Sequence, residues 1–283
     1  MKKLTLSILA IFIFCGCAIC QEILDLFPEK PGALICWTET RSAPRPLKIH
    51  YLKATLTASA LEVFAIPGDD PDGSSPAESR LTMPLDLFKK YQPIAAVNAN
   101  AFAGLPGDKA AAADWFEGRA VDIHGTVVSE GNVVSPVEDK RASFWLDVVQ
   151  KPHIGTPASM NAVAEAVADW FMPLLTDNRI VPDAADRVLH PRTALGFDDT
   201  GTWLLLTVVD GRQPGFSEGV SLYELAQILQ GHGCTQSINL DGGGSSIMLI
   251  REPGKEVRTL NSPSGKTHRP VPVMLGIRKT ARG

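Results

Sequence analysis

The spacing of apolar residues changes several times along the chain, and each change predicts an element. Leu4 to Phe14 is an apolar run preceded by Lys2 and Lys3. Residues 21–32 read as a short linker or a first helix. Ala33–Trp37, Leu47–Ala54 and Leu61–Ile66 then carry strand-like runs, the second partly alternating as a half-buried strand does. Residues 67–79 are rich in Pro, Gly, Asp and Ser and predict a loop. Thr82 to Tyr91 reads as a short helix with Pro84 in its first turn, followed by the apolar run Ile94–Val97 ending at Asn98. Residues 103–114, rich in Ala and Gly, predict a mobile loop. Short strands resume over 118–137, with Gly125 and Gly131 as turns, and again over Ser143–Val149. Asn161 to Met172 has helical composition ended by Pro173, and is equally compatible with irregular structure. Residues 176–190 form a polar connection.

The last hundred residues are the most legible. Thr193–Phe197, the turn Asp198–Gly201 and Trp203–Val209 predict a hairpin. Ser221 and Glu224 form a Ser-x-x-Glu capping box for a helix with Leu222, Leu225, Ile228 and Leu229 as its apolar stripe, ended by Gly231 and Gly233. Strand 237–240 follows, then Ile247–Ile250. Strand 203–209, helix 222–230 and strand 237–240 predict a βαβ unit with parallel strands. The fold class is therefore α+β (mixed α/β): a mixed twisted sheet with packed helices and one βαβ unit near the C-terminus.

That topology gathers chemistry at one sheet edge, where open α/β sheets bind ligands. Asp210-Gly211-Arg212 ends one parallel strand and Asp241-Gly242-Gly243-Gly244 the other. Antiparallel pairing in the hairpin brings Arg192 to the same edge. Asn98, after its own short apolar run, is expected to join them. Carboxylates serve as acid, base or nucleophile, guanidinium forks bind phosphate or carboxylate, and glycines let backbone N–H groups approach an anion. The combination suits a sugar or phosphate-bearing substrate. Each part alone has a plainer reading: Asp-Gly after a strand is often only a turn, and Arg192 could be an aspartate's structural partner. The glycine run is no P-loop, because no Gly-Lys-Ser/Thr follows it.

Composition sets outer limits. Lys2, Lys3, the apolar run and the small residues after it have the form of a secretory leader over residues 1–20. Phe14-Cys15-Gly16-Cys17 resembles a weak lipobox that would attach the chain to a membrane through lipidated Cys17, and a cut near Ala18 or Cys20 fits as well. Either places the protein outside the cytoplasm, secreted, periplasmic or lipid-anchored. Residues 21–46 read as an N-terminal linker and first strand, and 47–283 as one domain. Outside the leader only Cys36 and Cys234 remain, and pairing or two buried free thiols are both open. A net charge of −4 without Lys/Arg runs argues against a nucleic-acid partner.

His190-Pro191-Arg192-Thr193-Ala194-Leu195-Gly196, Val209-Asp210-Gly211-Arg212-Gln213-Pro214-Gly215 and Asn239-Leu240-Asp241-Gly242-Gly243-Gly244-Ser245-Ser246 follow one another as in the phosphodiester glycosidase domain family, which this sequence resembles most densely over 190–278. Arg269-Pro270-Val271-Pro272 resembles its C-terminal end. Over 47–150 the likeness is looser. Ala95-Ala96-Val97-Asn98 leads into Asn98-Ala99-Asn100-Ala101-Phe102, where the family usually reads Asn-Gly-Gly-Phe-Phe. Ala99 and Asn100 thus replace two glycines, which bears on substrate identity.

The resemblance implies hydrolysis of a sugar-1-phosphodiester at the anomeric bond. It implies catalytic Asp241, Asp210 and Arg192, with Asn98, Asn100, Arg212, Asn239, Gly242, Gly243, Gly244, Ser245 and Ser246 on the substrate. Arg192 and Arg212 would hold the phosphodiester, and Asp241 or Asp210 would activate water or stabilise an oxocarbenium-like centre. The Asp and Asn cluster is also compatible with a divalent cation such as calcium, although such ligand sets are not distinctive. One alternative is a non-catalytic cell-envelope polysaccharide-binding protein of the same fold. Another is a serine hydrolase using Ser245 or Ser246, for which His190 and His232 are not placed by spacing.

Overall fold

The computed structural model describes residues 18–20, 22–57, 60–73, 77–109, 114–138, 141–168, 172–265 and 267–280. The expected leader, with Cys17, lies outside them except for Ala18–Cys20, whose backbone pairs antiparallel with Thr40 and its neighbours.

Two large sheets pack face to face with one helix on each outer side. The first sheet runs, in spatial order, through strands Leu34–Arg41, Leu47–Thr55, Trp203–Val209, Arg192–Phe197, Gln236–Asn239 and Pro173–Thr176. The second runs through Val257–Thr259, Met248–Arg251, Ala95–Asn98, Val273–Lys279 and Leu61–Pro67. The two-residue side-chain period of a strand explains the layering. Leu61, Val63 and Ala65 point into the core between the sheets, with Leu195, Leu206 and Ile238 opposite. Phe64 and Ile66 point the other way, onto Leu87 and Phe88 of helix Pro84–Tyr91. Likewise Ala194, Leu205 and Val209 pack on Leu225 and Leu229 of helix Leu222–Gly231. Strands covered on both faces lose their alternation in sequence, so they read as continuous apolar runs. A further five-stranded sheet, with Val163–Ala168 at its middle, closes one end of the inter-sheet core through Phe144, Leu146 and Val167.

Several expectations are corrected. Every ladder among the described strands is antiparallel, so neither large sheet is mixed. Strands 203–209 and 236–239 do run parallel to each other, but strand 192–197 lies between them and pairs with both. The expected βαβ unit is thus split by a third strand. Of the stretch read as a linker or first helix, the described residues 22–32 hold the short strand Leu24–Asp25 and no helix. The helical composition of 161–172 gives way to strand Val163–Ala168. There Ala166 and Val167 face opposite cores, and Glu165 accepts backbone N–H groups of Ala65 and Glu130 at 2.8 and 2.9 Å. Tertiary burial overrides helix propensity. The capping box is present: Ser221 Oγ accepts from Glu224 N at 3.2 Å, and Glu224 Oε2 accepts from Ser221 N at 3.0 Å.

Cys36 and Cys234 are both buried and unpaired, in different core clusters, and burial pushes both thiols up to about 12. In a protein with Cys15, Cys17 and Cys20 replaced by serine, neither thiol should react with maleimide under native conditions. Both should react after denaturation. A mass two hydrogens lower, with no labelling in denaturant, would show that they pair.

Candidate active site

The strand register brings the expected ends together. Arg192 pairs with Val209, and Ala194 with Asn239, so Arg192, Asp210 and Asp241 leave their strands at one edge. Side-chain direction then separates them. Arg192 shares a face with Ala194, on the helix side of the sheet, whereas Asp210 continues the face of Leu206 and Val208, towards the inter-sheet core.

Arg192 is 5 % exposed and spends its guanidinium on carbonyls: Nε donates to Val220 O at 3.2 Å and Nη2 to Val188 O at 3.2 Å. Burial chiefly lowers its pKa to about 10, with Arg212 adding to the effect and Asp186 opposing it. Asp210 is 1 % exposed, and its carboxylate is also spent. Oδ2 accepts from His50 Nε2 at 2.9 Å. Oδ1 accepts from Ser262 N at 2.8 Å and Asn261 Nδ2 at 3.2 Å. His50 Nδ1 in turn meets Thr38 Oγ1 at 3.0 Å. Asp210 and His50 line a cavity of about 650 Å³ with Cys36, Lys48 and Phe216, but the Asp210 oxygens and both His50 ring nitrogens already have protein partners. Asp210 thereby fixes the turn at 261–262, from which the chain runs on to Arg269.

A second cavity, of about 400 Å³, lies on the glycine run, and shares no lining residue with the first. Arg212, Gly244, Arg269, His268 and Trp115 line it. Gly243 has φ +62°, in the left-handed region that glycine tolerates, and donates its N–H to Pro191 O at 2.9 Å. A Cβ on Gly244 would meet Arg269 Cζ at 2.5 Å, so the guanidinium could not keep this position over any other residue. On Gly243 a Cβ would stand 3.1 Å from Arg212 Nη2. The two guanidinium groups therefore lie directly against consecutive glycines.

Arg212 itself has φ +58°, a rare conformation for a residue with a Cβ. Its Nη2 meets His190 Nδ1 at 3.3 Å. Burial, then the charges of Arg212 and Arg192, lower the pKa of His190, so its imidazole is neutral and can accept. Arg269 makes no hydrogen bond or ion pair among the described residues. Burial lowers its pKa, Asp241 opposes that, and Arg212 adds to it.

Asp241 is half-buried beside this pair. Burial raises its carboxyl pKa to about 6, against the pull of the Ser245 hydroxyl, the Arg269 charge and the Gly242 N–H, which reaches Oδ1 at 2.9 Å. Ser245 Oγ lies near this carboxylate without a close hydrogen bond to it, and Ser246 Oγ and Asn239 Oδ1 are likewise buried without a protein partner among the described residues. Buried polar atoms of this kind need a further partner.

Asn98 and Asn100 are each 1 % exposed and act within the protein. Asn98 Nδ2 donates to Asp241 O at 2.6 Å, while its Oδ1 accepts from Thr193 Oγ1 at 2.8 Å and Ile247 N at 3.0 Å. Asn100 donates to the carbonyls of His124, Gly125 and Thr126 and accepts from Ala168 N. Its larger side chain, in place of the family's usual glycine, points into carbonyls and not into the cavity. Among the described residues no three His, Cys, Asp or Glu side chains gather closely enough to hold a metal ion. Asp241 with two guanidinium groups is instead an arrangement for an anion.

Residues 91–278 match the family model described as phosphodiester glycosidase. The chain belongs to the phosphodiester glycosidase family. Its fold is similar to that of the zebrafish N-acetylglucosamine-1-phosphodiester alpha-N-acetylglucosaminidase catalytic domain auto-inhibited by its pro-peptide. That match has a TM-score of 0.65 and 18 % identity, over 93 % of this chain and 89 % of that one. In sequence it is 42 % identical over 74 residues to the SPbeta prophage-derived uncharacterized protein YomE of Bacillus subtilis (strain 168), covering 26 % of this chain. It is 40 % identical over 63 residues to the Bos taurus N-acetylglucosamine-1-phosphodiester alpha-N-acetylglucosaminidase, covering 22 % of this chain. Each of these segments spans only 11 % of the relative's length.

In this member of the phosphodiester glycosidase family, Arg269 stands beside Arg212, where sequence reasoning had placed Arg192. The signal for it lies in the pairing of strand Val273–Lys279 with Ala95–Asn98, where Met274 opposes Asn98. Residues just before Val273 must then emerge beside Asn98.

Asp210→Ala strands three buried donors, at roughly 1–3 kcal/mol each where no water replaces the carboxylate. Its thermal midpoint should fall by several degrees, while Arg269→Gln should leave it within about 2 °C. Equal midpoints for Asp210→Ala and the parent protein would contradict a structural role for that carboxylate.

Proposed function

We infer that this protein hydrolyses a sugar-1-phosphodiester at the anomeric carbon–oxygen bond. The observation that carries the reading is the pair Arg212 and Arg269 against Gly243 and Gly244, with guanidinium donors not consumed by the protein and Asp241 alongside. Two adjacent cations without a protein anion between them match a phosphodiester. They also favour departure of the phosphate, whose negative charge grows as the bond to the sugar breaks. Phosphate is a good leaving group, so the protein need not protonate it strongly.

Asp241 in its ionised form takes the proton of the attacking water, as carboxylates do in glycoside hydrolysis. The water oxygen bonds to the anomeric carbon, and the electron pair of the broken bond leaves with the phosphomonoester. Asp210 is not available for this role, because its oxygens already accept from His50, Ser262 and Asn261. Arg192 and Asn98 act as positioning residues: Arg192 ties the strand end to Val188 and Val220, and Asn98 holds the Asp241 carbonyl.

The charged and apolar N-terminal residues support an extracytoplasmic setting. Among the described residues no helix is long and apolar enough to cross a membrane. A non-catalytic polysaccharide-binding protein of the same fold would be favoured by a side chain at Asn98 to Phe102 that filled the cavity. Asn100 leaves the cavity free, which removes that support.

The reaction should depend on one ionisation near pH 6, with turnover rising as Asp241 loses its proton. Asp241→Asn should lose that limb and at least about 100-fold in kcat. The same shift affects stability. A folded-state pKa raised from 3.8 to about 6 gives a stabilising contribution that is full below the lower value and lost as pH rises through the upper one. The thermal midpoint of Asp241→Asn should therefore gain on that of the parent protein between about pH 4 and pH 7. A pH–rate profile without the limb, or full activity in Asp241→Asn, would rule out this role.

A further inference from the structure

Trp115 is the one indole that lines the cavity holding Arg212 and Arg269. Its position is set from two sides. Phe102 meets it edge-on, with ring centroids 4.8 Å apart and planes at 74°. The Arg119 guanidinium covers it at 4.5 Å from the ring centroid. Arg119 is itself 4 % exposed and anchored, with Nε donating to Asp108 Oδ2 at 2.8 Å and Nη1 to Asp114 O at 2.6 Å. Gly104 makes room for it, since a Cβ there would stand 2.5 Å from Arg119 Nη2. A ring braced in this way loses little freedom when a ligand packs on it. The indole remains half-buried, so part of its surface is open on the cavity side.

The connection to Asp241 says which part of the substrate meets this ring. Phe102 ends the segment that begins at Asn98, and that segment holds Asp241 by both backbone groups: Asn98 Nδ2 donates to Asp241 O, and Asp241 N donates to Ala99 O at 2.8 Å. Trp115, through Phe102, is thus tied to the segment that holds Asp241, and it shares the lining of the cavity with both arginines. A pyranose has one face of C–H groups, which is apolar and planar enough to lie on an indole. The volume of about 400 Å³ falls within the roughly 300–1,000 Å³ typical of small-molecule sites.

We propose that Trp115 is the platform on which the sugar ring of the substrate stacks, and so the residue that selects for a sugar over a bare phosphate ester. This rests on reading the site as that of a phosphodiester glycosidase. The arginine pair fixes the phosphate, and Trp115 fixes the ring attached to it.

The test uses calorimetric binding of glucose 1-phosphate, N-acetylglucosamine 1-phosphate and inorganic phosphate to the full-length Asp241→Asn protein, with and without a second substitution at Trp115. Trp115→Ala should weaken binding of at least one sugar phosphate by about tenfold. Trp115→Phe should keep it within about threefold, and neither should change the affinity for inorganic phosphate. The proposal is overturned if Trp115→Ala leaves sugar phosphate binding unchanged. It is equally overturned if inorganic phosphate weakens by the same factor, or if Asp241→Asn alone binds neither sugar phosphate more tightly than phosphate. Turnover by the parent protein is read separately. Binding that follows this pattern without any hydrolysis would remove the proposed reaction and leave the stacking role standing.

Discussion

One side-chain amide, that of Asn98, joins the two large sheets at the edge where the candidate site lies. It sits at the end of a strand of the second sheet, and its Oδ1 accepts from Thr193 of the first sheet and from the backbone of Ile247. Its Nδ2 donates to the Asp241 carbonyl. A buried amide with its donor and acceptor engaged in this way fixes geometry more than it adds net stability, because the alternative is an unpaired polar group. Asp241, the start of the glycine run and the strand that carries Ile247 therefore keep a common position. The remainder of the site is built outward from that point.

Around it, charge is arranged by exclusion as much as by attraction. Asp210 is saturated inside the protein, and Arg192 is buried with its Nε and Nη2 on backbone carbonyls; neither lines the cavity of Arg212 and Arg269. Arg212 and Arg269 are left with free donors against glycines that offer no side chain to compete for them. Burial pushes the Asp241 carboxyl up to about 6, within the field of Arg269. This difference between spent and unspent groups separates the frame from the chemistry among residues of the same type. Membership of the phosphodiester glycosidase family supports the class of reaction proposed for it.

Much of the frame was legible in the chain. The hairpin of 192–209, the capped helix after Ser221 and the strand before Asp241 follow from periodicity and capping, and the meeting of their ends follows from topology. What escaped was set by long-range pairing or by side-chain direction. Strand 192–197 lies inside the expected βαβ unit, since nothing local tells a strand which neighbours it will pair with. Arg192 and Asp210 leave the same edge on opposite faces, a consequence of the two-residue period that an argument about edges alone passes over. Arg269 reaches the site only because the last strand pairs beside Asn98. Trp115 follows a stretch whose composition suggested a mobile loop, and its place depends on Phe102 and Arg119, each brought to it by tertiary packing. Val163–Ala168 is a strand because the neighbouring strands 127–129 and 143–147 pair with it, whatever its alanines prefer.

In the proposed reaction the bond broken is the one between the anomeric carbon and oxygen, with the phosphate held by Arg212 and Arg269 as leaving group. Hydrolysis of a sugar-1-phosphodiester in water enriched in oxygen-18, followed by mass analysis of both products, tests it most directly. The account predicts the heavy oxygen in the released sugar and none in the phosphomonoester. Label in the phosphate, which would mean attack at phosphorus, would contradict it.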